Sequence, residues 1–374
     1  MMRMSWTSVR ILRCAAAAVL LAGGAAAGAQ AESLTERANR GLVELMIPGD
    51  GSALGMAVDL AGLLDDGATR RVLPVVGHDA VDGLVDLKAL RGVDMMIVQT
   101  DVLTASRRNA ALGTAAGSFT YIAKLYNEEL HLLARAEIEH VADLAGKTVD
   151  FVGGARVTGP AVLGLLKIKV DPAFDDRASA LQKLAAGKVA AVAYVAAKPT
   201  PLFGMLEGGG GLHFLALPMT PALAEAYVPA RLTAEDYPRL VHADAPVDTV
   251  AVGTALVAAN LPPETERYRN LAAFVEAFFT QFPHLLEPPH LAKWREVNLA
   301  ADLPGWQRFP PAEAWLKRNA VAAAAPLNPA ELHAIFAKFL DQRSTLAGGR
   351  PLSAQEKDQL FDQFQRWEQS SASR

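Results

Sequence analysis

The chain has 374 residues, with 36 Lys and Arg against 40 Asp and Glu, and a formal net charge of −4. That balance argues against nucleic acid or an anionic membrane surface as the partner. Its single cysteine rules out a disulfide framework within the chain, so stability has to come from a hydrophobic core, which a 51% hydrophobic composition can supply.

Residues 1–31 read as an export signal. Arg3, Arg10 and Arg13 make a basic start without acids, Ala15 to Ala22 is a short apolar core, and Ala29-Gln30-Ala31 offers a small-x-small cleavage site. The apolar run is shorter than the roughly 20 residues needed to span a bilayer. Cleavage after Ala31 and a periplasmic location are expected. Cys14 lies before the apolar core rather than after it, which argues against a lipid anchor.

Strand and helix patterns then alternate. Leu42 to Ile47 is a buried-strand pattern broken by Pro48-Gly49-Asp50-Gly51, and Ser52 to Leu64 carries apolar residues at helical spacing. A strand at Arg71 to Val76, a helix through Leu84, Leu87 and Leu90, and a strand at Val93 to Val98 follow. This alternation predicts a parallel sheet with right-handed crossovers. Two strands, Phe119 to Leu125 and Leu130 to Ala134, are expected on either side of a polar break at Asn127 to Glu129. Beyond Asp143-Leu-Ala-Gly-Lys147, the strand Thr148 to Val152 ends in Gly153-Gly154.

The pattern then repeats. Helices are expected at Thr158 to Leu166 and Ala178 to Ala186, and strands at Val189 to Tyr194 and Leu212 to Leu217, after a glycine turn at Gly208 to Gly211. A strand at Thr249 to Val257 returns to the first unit, and a long helix covers Glu264 to Phe282. A Pro-rich passage from Trp306 to Trp315 leads to amphipathic helices at Glu331 to Leu340 and Ala354 to Trp367, expected to pack back on the body.

The phrase KLYNEELHLLAR, at Lys124 to Arg135, followed by DLAGKTVDFVGG, at Asp143 to Gly154, resembles the TAXI branch of the solute receptors of TRAP transporters. The resemblance runs more loosely from about Leu42 to about Leu303. It implies the type II periplasmic-binding-protein fold, an α/β architecture of two lobes with a cleft between them. The lobes are then 32–130 with 245–305, and 131–244, followed by a helical extension at 306–374. It also implies a small organic anion or amino acid as ligand and TRAP-type permease subunits as partners.

In an open α/β sheet, ligands bind beyond the carboxyl ends of the strands, where loops meet helix starts. Four loops fit: Pro48 to Ser52, Gln99 to Asp101, Gly153 to Gly159, and Tyr194 to Pro201. Gly49, Gly51 and Ser52 offer backbone donors to an anionic group. Gln99 can both donate and accept, Thr100 adds a hydroxyl, and Asp101 reads as a helix cap. Gln99-Thr100-Asp101 resembles the Gln-Ser-Asp of the family. Where the family has Gly-Ser-Gly-Thr, this chain has Ala155 and Arg156, with Thr158 as the remaining hydroxyl. Arg156, if turned inward, can hold a carboxylate by a bidentate pair. Tyr121 and Tyr194 are candidate pocket walls. His131, among leucines, reads as a packed strand histidine.

Enzyme signatures are absent from the sequence. It contains no HExxH, GxSxG or Walker A motif, and its eight histidines are scattered. No cofactor, metal or nucleic-acid partner is expected. The reading is a non-enzymatic solute receptor, with an ABC-type receptor or a non-transport sensor or scaffold as alternatives.

Overall fold

The computed structural model describes residues 33–49, 52–67, 69–108, 117–204, 206, 211–324, 337 and 353–361. The expected signal at residues 1–31 and, apart from residue 337, the expected helix at 331–340 lie outside them.

A capping box between Ser33 and Glu36 starts α1 (Leu34–Asn39), and β1 (Leu42–Ile47) follows. Next come α2 (Ser52–Leu64), β2 (Arg71–Val76) and α3 (Ala80–Ala89), the last capped by Asp79. β3 (Val93–Gln99) is buried at every position, as a central parallel strand covered on both faces should be. It turns directly into α4 (Thr100–Ala105).

β4 (Phe119–Arg135) is one continuous strand of 17 residues, not two. The expected break fails because Asn127, Glu128 and Glu129 keep their places in the ladder and both carboxylates find hydrogen-bond partners. Asn127, Glu128 and Glu129 pair in register with Gly253, Val252 and Ala251. Glu128 accepts from Gln99 and Tyr126, and Glu129 accepts from the Lys198 N–H and from Lys293.

The second series is β5 (Thr148–Val152), α5 (Ala155–Leu165), β6 (Asp171–Ala173), α6 (Arg177–Ala185) and β7 (Ala191–Ala196). α5 begins three residues earlier than the sequence suggested, so Arg156 and Thr158 ride on its first turn rather than on a loop. Then come α7 (Pro201–Gly204), β8 (Leu212–Phe214), α8 (Pro221–Ala224) and β9 (Val228–Leu232). β10 (Val247–Ala259) and the 20-residue α9 (Glu266–Leu285) follow, and α10 (Pro310–Ala324) begins at the end of the body.

The main path of the sheet is β2-β1-β3-β10-β4-β7-β5-β6. It reads the same way from each end. Three parallel strands, β2-β1-β3, meet antiparallel β10, and three parallel strands, β6-β5-β7, meet antiparallel β4. β4 and β10 are long because each serves both halves. β10 pairs with β3 through Thr254 to Ala258 and with β9 through Val247 to Ala251. The β4–β10 register is irregular between Gly253 and Ala255 and again between Leu256 and Val257, where one half gives way to the other. Two α/β lobes joined by through-running strands make this the type II periplasmic-binding-protein fold.

Each lobe has its own core. In the first, Leu84, Leu87, Met96, Val98, Val102 and Phe119 pack together. In the second, Leu130, Leu132, Phe151, Val162, Ala193 and Val252 form one face, and Tyr194, Phe203, Phe214 and Tyr237 belong to the other. Trp306 to Ala312 belong to the same compact unit as the sheet, through bonds such as Phe309 N–H to Tyr121 O at 2.8 Å. A second compact unit begins at Glu313. Within it, residues 354–361 are helical and start on a Ser353–Glu356 capping pair.

Candidate functional site

The loops at the carboxyl ends of β1, β2 and β3 each receive a side chain from the second lobe. After β1, the Gly49 carbonyl accepts from Arg177 Nη2 at 3.2 Å. After β2, Asp79 Oδ2 accepts from Arg156 Nη1 at 3.1 Å. After β3, Asp101 Oδ2 accepts from the Thr158 hydroxyl at 2.7 Å and the Tyr227 hydroxyl at 3.2 Å. Val157 adds an apolar contact by packing on the core of the first lobe. These residues form a seam between the lobes at the sheet edge where an α/β fold carries its ligands.

Asp79 performs two tasks with one carboxylate. Its Oδ1 accepts the Val81 and Asp82 N–H groups at 2.8 Å each, capping α3, and its Oδ2 takes the guanidinium. Arg156 is braced from behind by Nη2 donating to the Phe174 carbonyl at 2.9 Å, with its guanidinium 5.9 Å from the Phe174 ring centroid. It is therefore turned toward the first lobe.

Desolvation raises the Asp101 pKa above the ordinary carboxylate value, and bonds from Thr158, Val102 and Tyr227 partly offset that rise. The Tyr227 phenol is also raised, first by burial and then by the Asp101 charge.

Gln99 is 3% exposed. Its Nε2 donates to Glu128 Oε2 at 2.6 Å, while Glu128 Oε1 accepts from the Tyr126 hydroxyl at 3.1 Å. Gln99 Oε1 has no hydrogen-bond partner. The Gly153-Gly154 pair explains itself here. Gly153 sits at φ 58°, which favours glycine, and a Cβ on Gly154 would lie 2.6 Å from Gln99 Nε2. One glycine makes the turn and the other lets α5 approach the amide.

Of the residues proposed from sequence, Gly49, Gln99, Arg156 and Thr158 come together at the seam, and Thr100 opens α4 beside them, half-buried. Ser52 begins α2, and Gly51 lies outside the described residues. Tyr121 and Tyr194 are placed elsewhere. Tyr121 packs in the first core beneath Arg308, whose guanidinium is 4.6 Å from the ring centroid. Tyr194 is fully buried with its ring edge-on to Phe203. Asp101 bonds its neighbour Val102 N–H as a helix start should, but its second oxygen reaches across the seam.

Sequence reasoning missed Asp79, Arg177 and Tyr227. Asp79 was within reach of the rule that nominated the other loops, since it follows β2 at the same sheet edge. Among the described residues, His78, Asp79 and Asp82 stand close enough to share a cation, but both Asp79 oxygens are already committed to the helix cap and to Arg156.

The two tasks of Asp79 are separable. Asp79→Ser keeps an oxygen for the cap and loses the ion pair, whereas Asp79→Ala loses both. Urea denaturation should find the alanine variant less stable than the serine variant by about 1 kcal/mol, the usual worth of an N-cap.

No family model matches the sequence, and no curated protein does. The fold is similar to several solved structures. The periplasmic binding protein BugD is 15% identical, with a TM-score of 0.44 over 75% of this chain and 94% of that one. A mutant of ArgBP from T. maritima is 13% identical, with a TM-score of 0.42 over 67% of this chain and 93% of that one. The aliphatic sulphonate binding protein SsuA from Escherichia coli is 16% identical, with a TM-score of 0.39 over 84% of this chain and 91% of that one. These likenesses concern the course of the backbone and assign no role to any residue of the seam.

Proposed function

We propose that the protein is an extracytoplasmic solute receptor that closes two lobes over a small organic acid or amino acid and delivers it to a TRAP-type membrane permease. The lobes are 32–130 with 245–305, and 131–244. The observation that carries this reading is the seam, in which three loops at strand carboxyl ends meet Arg156, Thr158, Arg177 and Tyr227 of the other lobe. Polar groups that bond one another across a closed seam become ligand-facing when the lobes part. Among the described residues only β4 and β10 run through both lobes, and their register irregularity at Gly253 to Val257 provides a hinge. Binding of this kind needs no covalent step and no cofactor. No described helix is long and apolar enough to cross a membrane.

The test is a thermal-shift screen of the chain starting at Glu32 against amino acids, 2-oxo acids, C4-dicarboxylates and aromatic acids. A ligand at one hundred times its dissociation constant adds about 2.7 kcal/mol to stability, which raises the melting temperature by several degrees. At least one compound should produce such a shift, and a flat response across the panel would overturn the receptor reading. Neighbouring genes separate the permease classes, since a TRAP permease and an ABC ATPase are different genes.

A second reading, a non-transport sensor or scaffold, is favoured by one observation: Arg156 and Asp79 already satisfy each other across the seam. The flat response would favour it.

A further inference from the structure

The seam contains acceptor capacity that the chain does not fill. Gln99 Oε1 is buried and without a partner. The amide cannot simply be turned over, because its Nε2 faces Glu128 Oε2 at 2.6 Å and a flip would set oxygen against oxygen. On the same turn, the Asp101 carboxylate accepts from the Val102 N–H and from the Thr158 and Tyr227 hydroxyls. No lysine, arginine or histidine among the described residues reaches it as an ion pair. Arg156, the guanidinium on α5, is directed at Asp79 and the Phe174 carbonyl instead.

A buried acceptor without a donor is unfavourable, and a carboxylate facing only neutral donors leaves its charge uncompensated. A solute that presented a carboxylate or other oxyanion here would meet Gln99 Oε1, Asp101 and Glu128, all of them acceptors. A solute that presented N–H groups carrying positive charge would satisfy the amide oxygen and the carboxylate together.

We infer that the solute carries a protonated amine, taken up by Gln99 Oε1 and the Asp101 carboxylate, so that the ligand is an amino acid or related amine rather than a dicarboxylate or oxo acid. This rests on the receptor reading and narrows its ligand class. Thr158 and Tyr227 donate to Asp101 where the ammonium would, and separation of the lobes exposes both acceptors on the first lobe.

The experiment is calorimetric titration of the chain starting at Glu32 with matched pairs that differ in the amine alone. The pairs are L-glutamate with 2-oxoglutarate and L-leucine with 4-methyl-2-oxopentanoate, and putrescine serves as an amine without a carboxylate. The amine-bearing member of at least one pair should bind at least tenfold more tightly than its oxo partner, or putrescine should bind. Gln99→Leu should then weaken that amine tenfold or more. An oxo acid that binds as tightly as its amine overturns the inference and leaves the receptor reading standing. A complete absence of binding overturns the receptor reading and the inference with it. A folded Gln99→Leu variant with unchanged affinity for the amine overturns the placement at Gln99. If that variant does not fold, Asp101→Asn replaces it under the same criterion.

Discussion

Replacing Arg308 by methionine should lower the unfolding free energy by about 3–5 kcal/mol, because one buried guanidinium satisfies a whole turn of backbone carbonyls. Arg308 is 7% exposed. Its Nη1 donates to the Leu299 carbonyl at 2.9 Å and the Ile122 carbonyl at 3.4 Å. Its Nη2 donates to the carbonyls of Ala300 at 3.2 Å and Ala301 at 2.9 Å, and to Asp302 Oδ1 at 3.3 Å. The planar group also stacks on Tyr121.

Methionine fills a similar volume but leaves these acceptors without donors. The 299–302 turn would then lose the guanidinium link to the Ile122 carbonyl of β4. Arg308→Lys should recover only a small part of the loss, since a point-like ammonium cannot reproduce the fork that reaches carbonyls on two sides. Guanidinium denaturation of the three proteins checks this. A methionine variant within 1 kcal/mol of the parent would mean that water replaces the guanidinium at little cost.

The second large effect depends on pH. His131 is fully buried on β4, with ring centroids of Phe203, Phe214 and Tyr237 at 5.4, 5.7 and 5.4 Å. The Tyr237 hydroxyl accepts the Thr200 N–H at 2.9 Å and lies 2.7 Å from His131 Nε2, a hydrogen bond whose donor is set by the imidazole tautomer. Desolvation, the largest cause, lowers the His131 pKa from 6.5 to about 4.

In the unfolded chain the imidazole titrates near its ordinary value of about 6.5. Above that pH both states are neutral, and the contribution is fully present. As pH falls from 6.5 to 4 the unfolded chain takes up a proton that the folded chain refuses, and stability falls by about 1.4 kcal/mol per pH unit. The total loss attributable to His131 is about 3 kcal/mol, with no further change below pH 4.

His131→Gln keeps an acceptor for Tyr237 and cannot titrate. It should be less stable than the parent at pH 7, by about 1–2 kcal/mol for the disturbed packing. The gap should close and then reverse as pH falls to 4, because only the parent carries the histidine penalty. Urea denaturation of both proteins at pH 7, 6, 5 and 4 gives the difference directly. It also cancels the opposing contribution of Asp94, Asp101 and Glu129, whose pKa values are raised by burial in both proteins. A difference that stays constant across the range would contradict the assignment.

The fold was largely legible in the sequence because strand identity is written in local runs. β1, β3 and β5 are apolar stretches closed by turn residues, and the strand–helix alternation implies parallel pairing. The continuity of β4 was not legible. Asn127 to Glu129 resemble a turn until the partners of Glu128 and Glu129 are known, and those come from Gln99, Lys198 and Lys293.

The candidate site was half legible for a similar reason. Strand-end loops can be located from one sequence, which found Gln99, Arg156 and Thr158. Contacts between residues 77 and 126 positions apart, Arg156 with Asp79 and Tyr227 with Asp101, leave no local pattern. Arg308 was invisible because its partners are mainly main-chain carbonyls, which any sequence supplies.

The proposed solute site is the seam at Gln99 and Gly154. Titration calorimetry on the parent and on Gly154→Val, with the solute that gives the largest thermal shift, tests it most directly. A valine side chain at residue 154 would occupy the space now filled by the Gln99 amide, so the lobes could not close over the ligand. One solute should bind per parent chain, with at least a tenfold loss of affinity in a variant that remains folded by circular dichroism. Undiminished affinity in the folded variant would contradict it and place the binding site elsewhere on the molecule.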